Sequence, residues 1–204
     1  MLTELAHDGG RRPIADCLTC AFLLTDIETS RKGLMVSGST AVSCLLMPGK
    51  DPNGAGRVLY TANIGDSRAV LCRGGQAVRL SYDHKASDPA EQKRIEAAGG
   101  FVLRKRVLGI LSVSRSFGDH ALKKFVPARP YISETPLDSM VEFVIVACDG
   151  VWDVLNDQEA VDFVRSRIDP NASPAEYPDL AQALVAEALR RGSTDNISCV
   201  VVYI

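Results

Sequence analysis

The chain has 204 residues, 46% of them apolar and 24% charged, with a formal net charge of -2 at pH 7. That length buries one sizeable core and predicts a single domain over 1–204. Its interspersed charges leave no electrostatic footprint for nucleic acid or an anionic membrane.

Six cysteines, at 17, 20, 44, 72, 148 and 199, lie scattered through apolar segments. They read as reduced core thiols of an intracellular protein, cytoplasmic or nuclear, and Cys17 and Cys20 as packing residues of a helix. No apolar run reaches the roughly 18 residues of a membrane span, and the first residues lack the apolar centre of a signal peptide.

In chain order, Pro13 to Arg31 predicts a helix with Ile14, Cys17, Leu18, Ala21, Leu24 and Ile27 on one stripe, stopped by Gly33. The segments STAVSCLLM, RVLYTANI, RAVLCR and QAVRL are separated by short turns and predict an antiparallel meander. SDPAEQKRIEAAGG carries a cap at Ser87 or Asp88, Pro89 in the first turn, Glu91 early in the helix and a Gly99–Gly100 stop. Further strand is expected within 103–113, and ALKKFVPARPYISETP reads as proline-punctuated loop.

EFVIVAC predicts a fully buried strand, after which Asn156 with Glu159 caps a helix bearing Val161, Phe163, Val164 and Ile168. Leu180 to Arg190 predicts a last amphipathic helix, and NISCVVVYI a closing buried strand. Strand runs and helix runs are segregated, which favours an α+β fold of antiparallel sheets flanked by helices.

Three acids share a place in this pattern. Asp149 follows one buried strand, Asp195 precedes the closing strand, and Asp66 sits in the turn after RVLYTANI. If the strands at 143–148 and 197–204 are antiparallel, Asp149 and Asp195 reach the same sheet edge. Clustered carboxylates repel unless a hard divalent ion joins them, and oxygen donors without His or Cys suit Mg²⁺ or Mn²⁺. Against this stands the plainer reading, in which Gly-Asp, Asp-Gly and Asp-Asn are turn pairs bonding nearby backbone N–H groups. Asp153 either turns back toward Asp149 or caps the helix that follows, and the pattern favours the cap.

The stretches SGSTAV at 37–42, ANIGDSRAVL at 62–71, LSYDHKASDPAEQKRIEAAGG at 80–100, GILSVSRSFGD at 109–119, VIVACDGVWDVL at 144–155 and RGSTDNISCVVV at 191–202 resemble, in order, the motifs of the metal-dependent serine/threonine protein phosphatases of the 2C family. The resemblance implies a sandwich of two antiparallel sheets flanked by helices, with two or more Mn²⁺ or Mg²⁺ ions in the complete domain. It implies a metal-activated water that attacks phosphoserine or phosphothreonine in protein substrates, by a monomer. Asp149 and Asp195 match the family's metal aspartates, Asp66 and Asp153 the acids of a further, weaker metal, and residues 81–107 its flap-like insertion.

The family's phosphate-binding arginine and its DGHGG strand end, with a bridging Asp and a candidate acid His, precede the first helix. Here only twelve residues do so, and HDGG at 7–10 has the wrong order and lies too close. The opening strands and half of the metal shell are therefore expected to be missing, and no catalytic acid or phosphate-binding Arg is identifiable. Two readings follow: a phosphatase represented by part of its chain, or a phosphatase-like binding module without turnover. His84 and His120 read as hydrogen-bonded structural residues, and Arg115 with Asp119 as a loop-positioning or ion-pairing set. Arg104, Lys105 and Arg106 suggest an acidic or phosphorylated partner, or simply a solvated basic face.

Overall fold

A computed structural model describes residues 13–49, 56–169, 177 and 179–204. They form two compact units, one from 13–44, 62–66 and 82–133, the other from the described residues of 45–61, 67–81 and 134–204. The fold is α+β with antiparallel sheets. The HDGG stretch lies outside the described residues.

In the first unit, helix α1 (Ile14–Arg31) begins after Pro13, whose carbonyl accepts the N–H groups of Asp16 and Cys17. Its buried face is Cys17, Leu18, Ala21, Phe22 and Asp26. Leu24 and Ile27, expected on the buried stripe, are exposed. The face is rotated because Asp26 turns inward, where its Oδ1 accepts from the Gly118 N–H and from Lys123 Nζ, both at 2.9 Å. Phe22 stacks 5.2 Å from Phe117 on the same side. A charged residue is tolerated there because both its partners are fixed.

Strands β1 (Gly38–Ser39) and β8 (Phe117–Gly118) pair antiparallel. Helix α2 (Pro89–Ala97) is capped by the Asp88 carboxylate, which accepts from the N–H groups of Ala90 and Glu91. Glu91 then points inward, 3% exposed, and binds Arg115 at 2.6 Å, Arg94 at 2.9 Å and Ser114 at 2.7 Å. Arg115 is thus the ion-pairing residue of its loop, and His120 bonds Thr29 at 2.9 Å. Strands β6 (Val102–Leu103) and β7 (Arg106–Val107) close a two-residue hairpin. Its turn residues, Arg104 and Lys105, have φ of 51° and 61°. That region costs about 1 kcal/mol or more for a residue with a side chain. Val107 joins Ala86, Ile95 and Val126 in a small core.

The second unit is built on a four-stranded antiparallel sheet, in the order β11 (Cys199–Tyr203), β10 (Val141–Ala147), β4 (Arg68–Arg73), β5 (Gln76–Arg79). Val70, Cys72, Phe143 and Ile145 pack with Trp152, Leu155 and the buried faces of α4 (Asp157–Arg165) and α5 (Leu180–Arg190). The Asn156–Glu159 capping box starts α4 as expected, and Asp179 caps α5. Asp157 ties this helix to the sheet through Arg68 at 2.6 Å and Arg79 at 2.7 Å, and Arg68 lies over the Trp152 ring.

Three differences from the sequence reading concern strands. β3 (Arg57–Ile64) pairs in a three-stranded sheet, order β2 (Ala41–Pro48), β3, β9 (Tyr131–Leu137), whereas β4 pairs with β10 and β5. The Gly65–Ser67 turn therefore moves the chain from one sheet to another instead of closing a hairpin. The prolines at 130 and 136 predict loop, but β9 forms there because it lies at the end of the strand order, where a missing N–H donor is tolerated. β11 is likewise outermost, so Val200 and Val202 are exposed and the strand is only half-buried. All six cysteines are free, and Cys44 is exposed rather than in a core.

Two buried groups of the first unit make its stability acid-sensitive. Burial would raise the Glu91 carboxyl, but hydrogen bonds from Arg115, Arg94 and Ser114 outweigh it and hold it at about 2, against an ordinary 4.5. Its stabilisation is complete above pH 4.5 and lost as pH falls toward 2. Burial, with Arg115 nearby, lowers His84 from 6.5 to about 4, so its contribution is lost as pH falls through that interval. In urea unfolding followed against pH, His84→Gln should flatten the first acid step and Glu91→Gln the second. Glu91→Gln should also cost about 3 kcal/mol at neutral pH by stranding Arg115. An unchanged pH slope in either variant would contradict the assignment.

Candidate functional site

The antiparallel register of β10 with β11 runs from Phe143↔Tyr203 to Ala147↔Cys199. Beyond Ala147 the chain continues into Cys148 and the short helix α3 (Asp149–Trp152); ahead of Cys199 comes the turn 192–198. Asp149 and Asp195 accordingly sit at the same end of this strand pair, as expected from the sequence.

The junction is knitted together by backbone. The Cys148 N–H donates to the Ser198 carbonyl at 3.1 Å, and the Ser198 N–H returns to Cys148 Sγ at 3.2 Å. Ser193 Oγ donates to the Gly150 carbonyl at 2.7 Å. A Cβ at Gly150 would stand 2.6 Å from the Asn196 carbonyl oxygen, so the absence of a side chain lets α3 lie against the 192–198 turn. Trp152 Nε1 anchors the other side by donating to the Ala147 carbonyl.

A cleft of about 470 Å³ opens at this end, lined by Gly150, Asp153, Val154, Gly192, Ser193, Thr194 and Asp195. The carboxylate of Asp195 is exposed, and its Oδ1 accepts from the following Asn196 N–H at 2.7 Å. That contact is the Asp-Asn turn geometry, so the turn-former reading holds for one of its oxygens. Asp153 is also exposed and follows α3, with its N–H bonded to the Asp149 carbonyl. It does not cap the next helix, because Asn156 does. Asp153 and Asp195 share the cleft wall.

Asp66 belongs to the first unit, where it is buried in the turn after β3. Its predecessor Gly65 has a φ of +80°, and a Cβ there would lie 2.2 Å from Thr40 Cγ2. The Gly65 carbonyl accepts the His84 N–H at 2.9 Å and faces His84 Nδ1 at 3.3 Å. His84 is therefore a structural residue holding the turn, and Thr40 packs closely against Gly65.

A scan of family models matches residues 6–197 to "Protein phosphatase 2C". The chain belongs to the protein phosphatase 2C family. It is 51% identical over 153 residues to "Protein phosphatase 2C homolog 1" of Schizosaccharomyces pombe, covering 74% of this chain and 42% of that one. The protein of the same name from Saccharomyces cerevisiae is 40% identical over 202 residues, covering 95% and 69%. "Probable protein phosphatase 2C 59" of Arabidopsis thaliana is 47% identical over 169 residues, covering 81% and 50%. This chain thus spans about half the length of several relatives.

Among solved structures, one titled "Structure of a C.elegans sex determining protein" aligns with a TM-score of 0.85 at 27% identity, covering 99% of this chain and 50% of that one. A serine-threonine phosphatase 2C from Toxoplasma gondii aligns with a TM-score of 0.77 at 22% identity, covering 99% and 73%, and supports the fold alone.

Metal dependence is general to the 2C family, so the donor set can be tested against a divalent ion. Asp149 and Asp195 supply the hard oxygens that Mg²⁺ or Mn²⁺ prefers. Burial pushes the neighbouring Cys199 thiol up to about 12, so that residue stays a protonated thiol. Among the described residues, however, no group of three or more His, Cys, Asp or Glu side chains is arranged to hold a metal ion. The described donors therefore do not fit a two-ion centre.

The sequence reading named the acids but passed over Gly150 and Ser193, which hold them at a common edge. The signal was present in the Asp-Gly pair, read only as turn chemistry. Gly150→Ala should destabilise the second unit by about 2 kcal/mol through the clash with the Asn196 carbonyl. Ser193→Ala should cost about 1 kcal/mol through the lost hydrogen bond. Denaturant unfolding of both variants measures this, and an unperturbed Gly150→Ala midpoint would contradict the close approach.

Proposed function

We propose that this chain is part of an enzyme that dephosphorylates phosphoserine and phosphothreonine in proteins. Family membership supports the reaction class, and the shared edge of Asp149 and Asp195 is the observation that carries the reading to residues. In that role the two acids are this chain's contribution to a Mn²⁺ or Mg²⁺ centre, with Asp66 and Asp153 as further acids. The metal, when bound, would supply an activated water and charge neutralisation at the phosphoryl group.

What the chain's own residues do is more limited. The β10–β11 pairing fixes where the two carboxylates start, Gly150 lets their backbones approach, and the exposed cleft beside Asp153 and Asp195 gives access from solvent. A second reading, a phosphatase-like module that binds without turnover, is favoured by the lack of a three-donor group among the described residues. Each site mutation costing a ligand should matter little if no ion is held.

The isolated 204-residue chain should hydrolyse a phosphothreonine peptide with Mn²⁺ at a rate near background. If the coding sequence continues upstream of Met1, the extended protein should show Mn²⁺-dependent turnover that falls by about a hundredfold or more in Asp149→Asn and in Asp195→Asn. Robust turnover by the 204 residues alone would refute the incomplete donor set. Full activity of the extended Asp149→Asn protein would refute the metal assignment.

A further inference from the structure

We propose that the outer face and tip of the β6–β7 hairpin form a docking surface for an extended acidic segment of a partner protein, one carrying an apolar side chain among its carboxylates. Alternation along the hairpin sends Val102 and Val107, which are register partners, toward the small core with Ala86, Ile95 and Val126. The opposite face looks to water. There Phe101 is 53% exposed, Leu103 is 55% exposed, and Arg106 stands across from Leu103 in the register.

Ile110, 61% exposed, follows Gly109, and a Cβ at Gly109 would touch Leu103 Cδ2 at 3.7 Å. Three apolar side chains thus gather on the side of a hairpin where polar residues are the rule. Nothing in the local fold requires them, because the core contacts are made by the other face.

The charges beside them are uncompensated. Arg104, Lys105 and Arg106 are all exposed, and none is ion-paired with an acid of the described residues. Arg106 instead donates to the Ile110 carbonyl at 2.8 Å, which holds its guanidinium next to the apolar group. By contrast, Arg94 and Arg115 of the same unit both bind Glu91.

The turn itself is the third observation. Both of its residues have positive φ, the arrangement for which Asn-Gly is the favoured pair, yet the chain places Arg and Lys there. Local strain is thus accepted to present two cations at the tip. Three cations with no acidic partner among the described residues select carboxylates, and the adjoining apolar side chains select a peptide over a bare polyanion. The chain's net charge of -2 also disfavours a nucleic acid. The surface is independent of the phosphatase reading, since its ligand needs no phosphate and no metal.

The test is fluorescence anisotropy with a labelled, unphosphorylated glutamate-rich peptide bearing a central Leu-Phe pair, titrated with the full chain in EDTA. Binding is expected, and raising salt from about 0.05 to 0.3 M should weaken it strongly. The double variant Arg104→Asn/Lys105→Gly installs the favoured turn, so it should melt higher than the parent while binding about tenfold more weakly. Phe101→Ser/Leu103→Ser should also bind about fivefold more weakly with an unchanged fold by circular dichroism. Equal binding by the Asn-Gly variant, or equal binding of a glutamine-for-glutamate peptide, would overturn the proposal. So would equal binding of a glutamate peptide without Leu and Phe, or of heparin, since either would show a basic face that attracts any polyanion. Failure of the hydrolysis test in the extended protein would leave this binding intact.

Discussion

The pairing of β10 with β11 is the constraint on which the candidate site depends. β10 is flanked on both sides, by β11 and by β4, and its Phe143 and Ile145 are fully buried. Its register is therefore set by the core, because a one-residue slip would turn every buried side chain to the other face. Ala147 opposite Cys199 follows from that register, and with it the arrival of Asp149 and Asp195 at one end. The rim is an output of core packing, several residues away from the acids themselves.

Much of this was legible in the sequence where one local rule decided the outcome. The caps at Asp88 and at Asn156 with Glu159 define helix starts because side-chain oxygens and orphan N–H groups must meet within four residues. The apolar run of β10 could only be a buried strand. The shared edge of Asp149 and Asp195 needed one assumption, antiparallel pairing of two strands, and that assumption holds.

What escaped the sequence reading depended on partners far along the chain. The buried face of α1 could not be read from its own apolar residues, because Asp26 is drawn inward by Gly118 and Lys123, more than ninety residues away. β9 was hidden by its prolines, whose effect depends on whether the strand lies at the end of a sheet. Glu91 looked like a first-turn acid that favours the helix dipole, and only the positions of Arg94, Ser114 and Arg115 make it the centre of a buried ionic cluster. In each case the deciding energy is tertiary, and periodicity carries no information about it.

The distribution of cations explains how the acids divide into structural and functional candidates. Asp26 is met by Lys123, Glu91 by Arg94 and Arg115, Asp157 by Arg68 and Arg79, and Glu187 by Arg190 and Arg191. Each of these carboxylates is buried or half-buried, and its partner offsets the desolvation that burial imposes. Asp195 stands apart, since its one described contact is the N–H of its own neighbour and it faces water across the cleft. A carboxylate so placed has not been desolvated by folding and keeps an oxygen open to an external cation. Asp195 together with Asp149 would hold an ion firmly only if other donors completed its shell, because Mg²⁺ and Mn²⁺ favour about six oxygens in fixed geometry. The second unit therefore presents a preset edge with two acids, and under the proposed reading the strength of a metal site there would be governed by further donors.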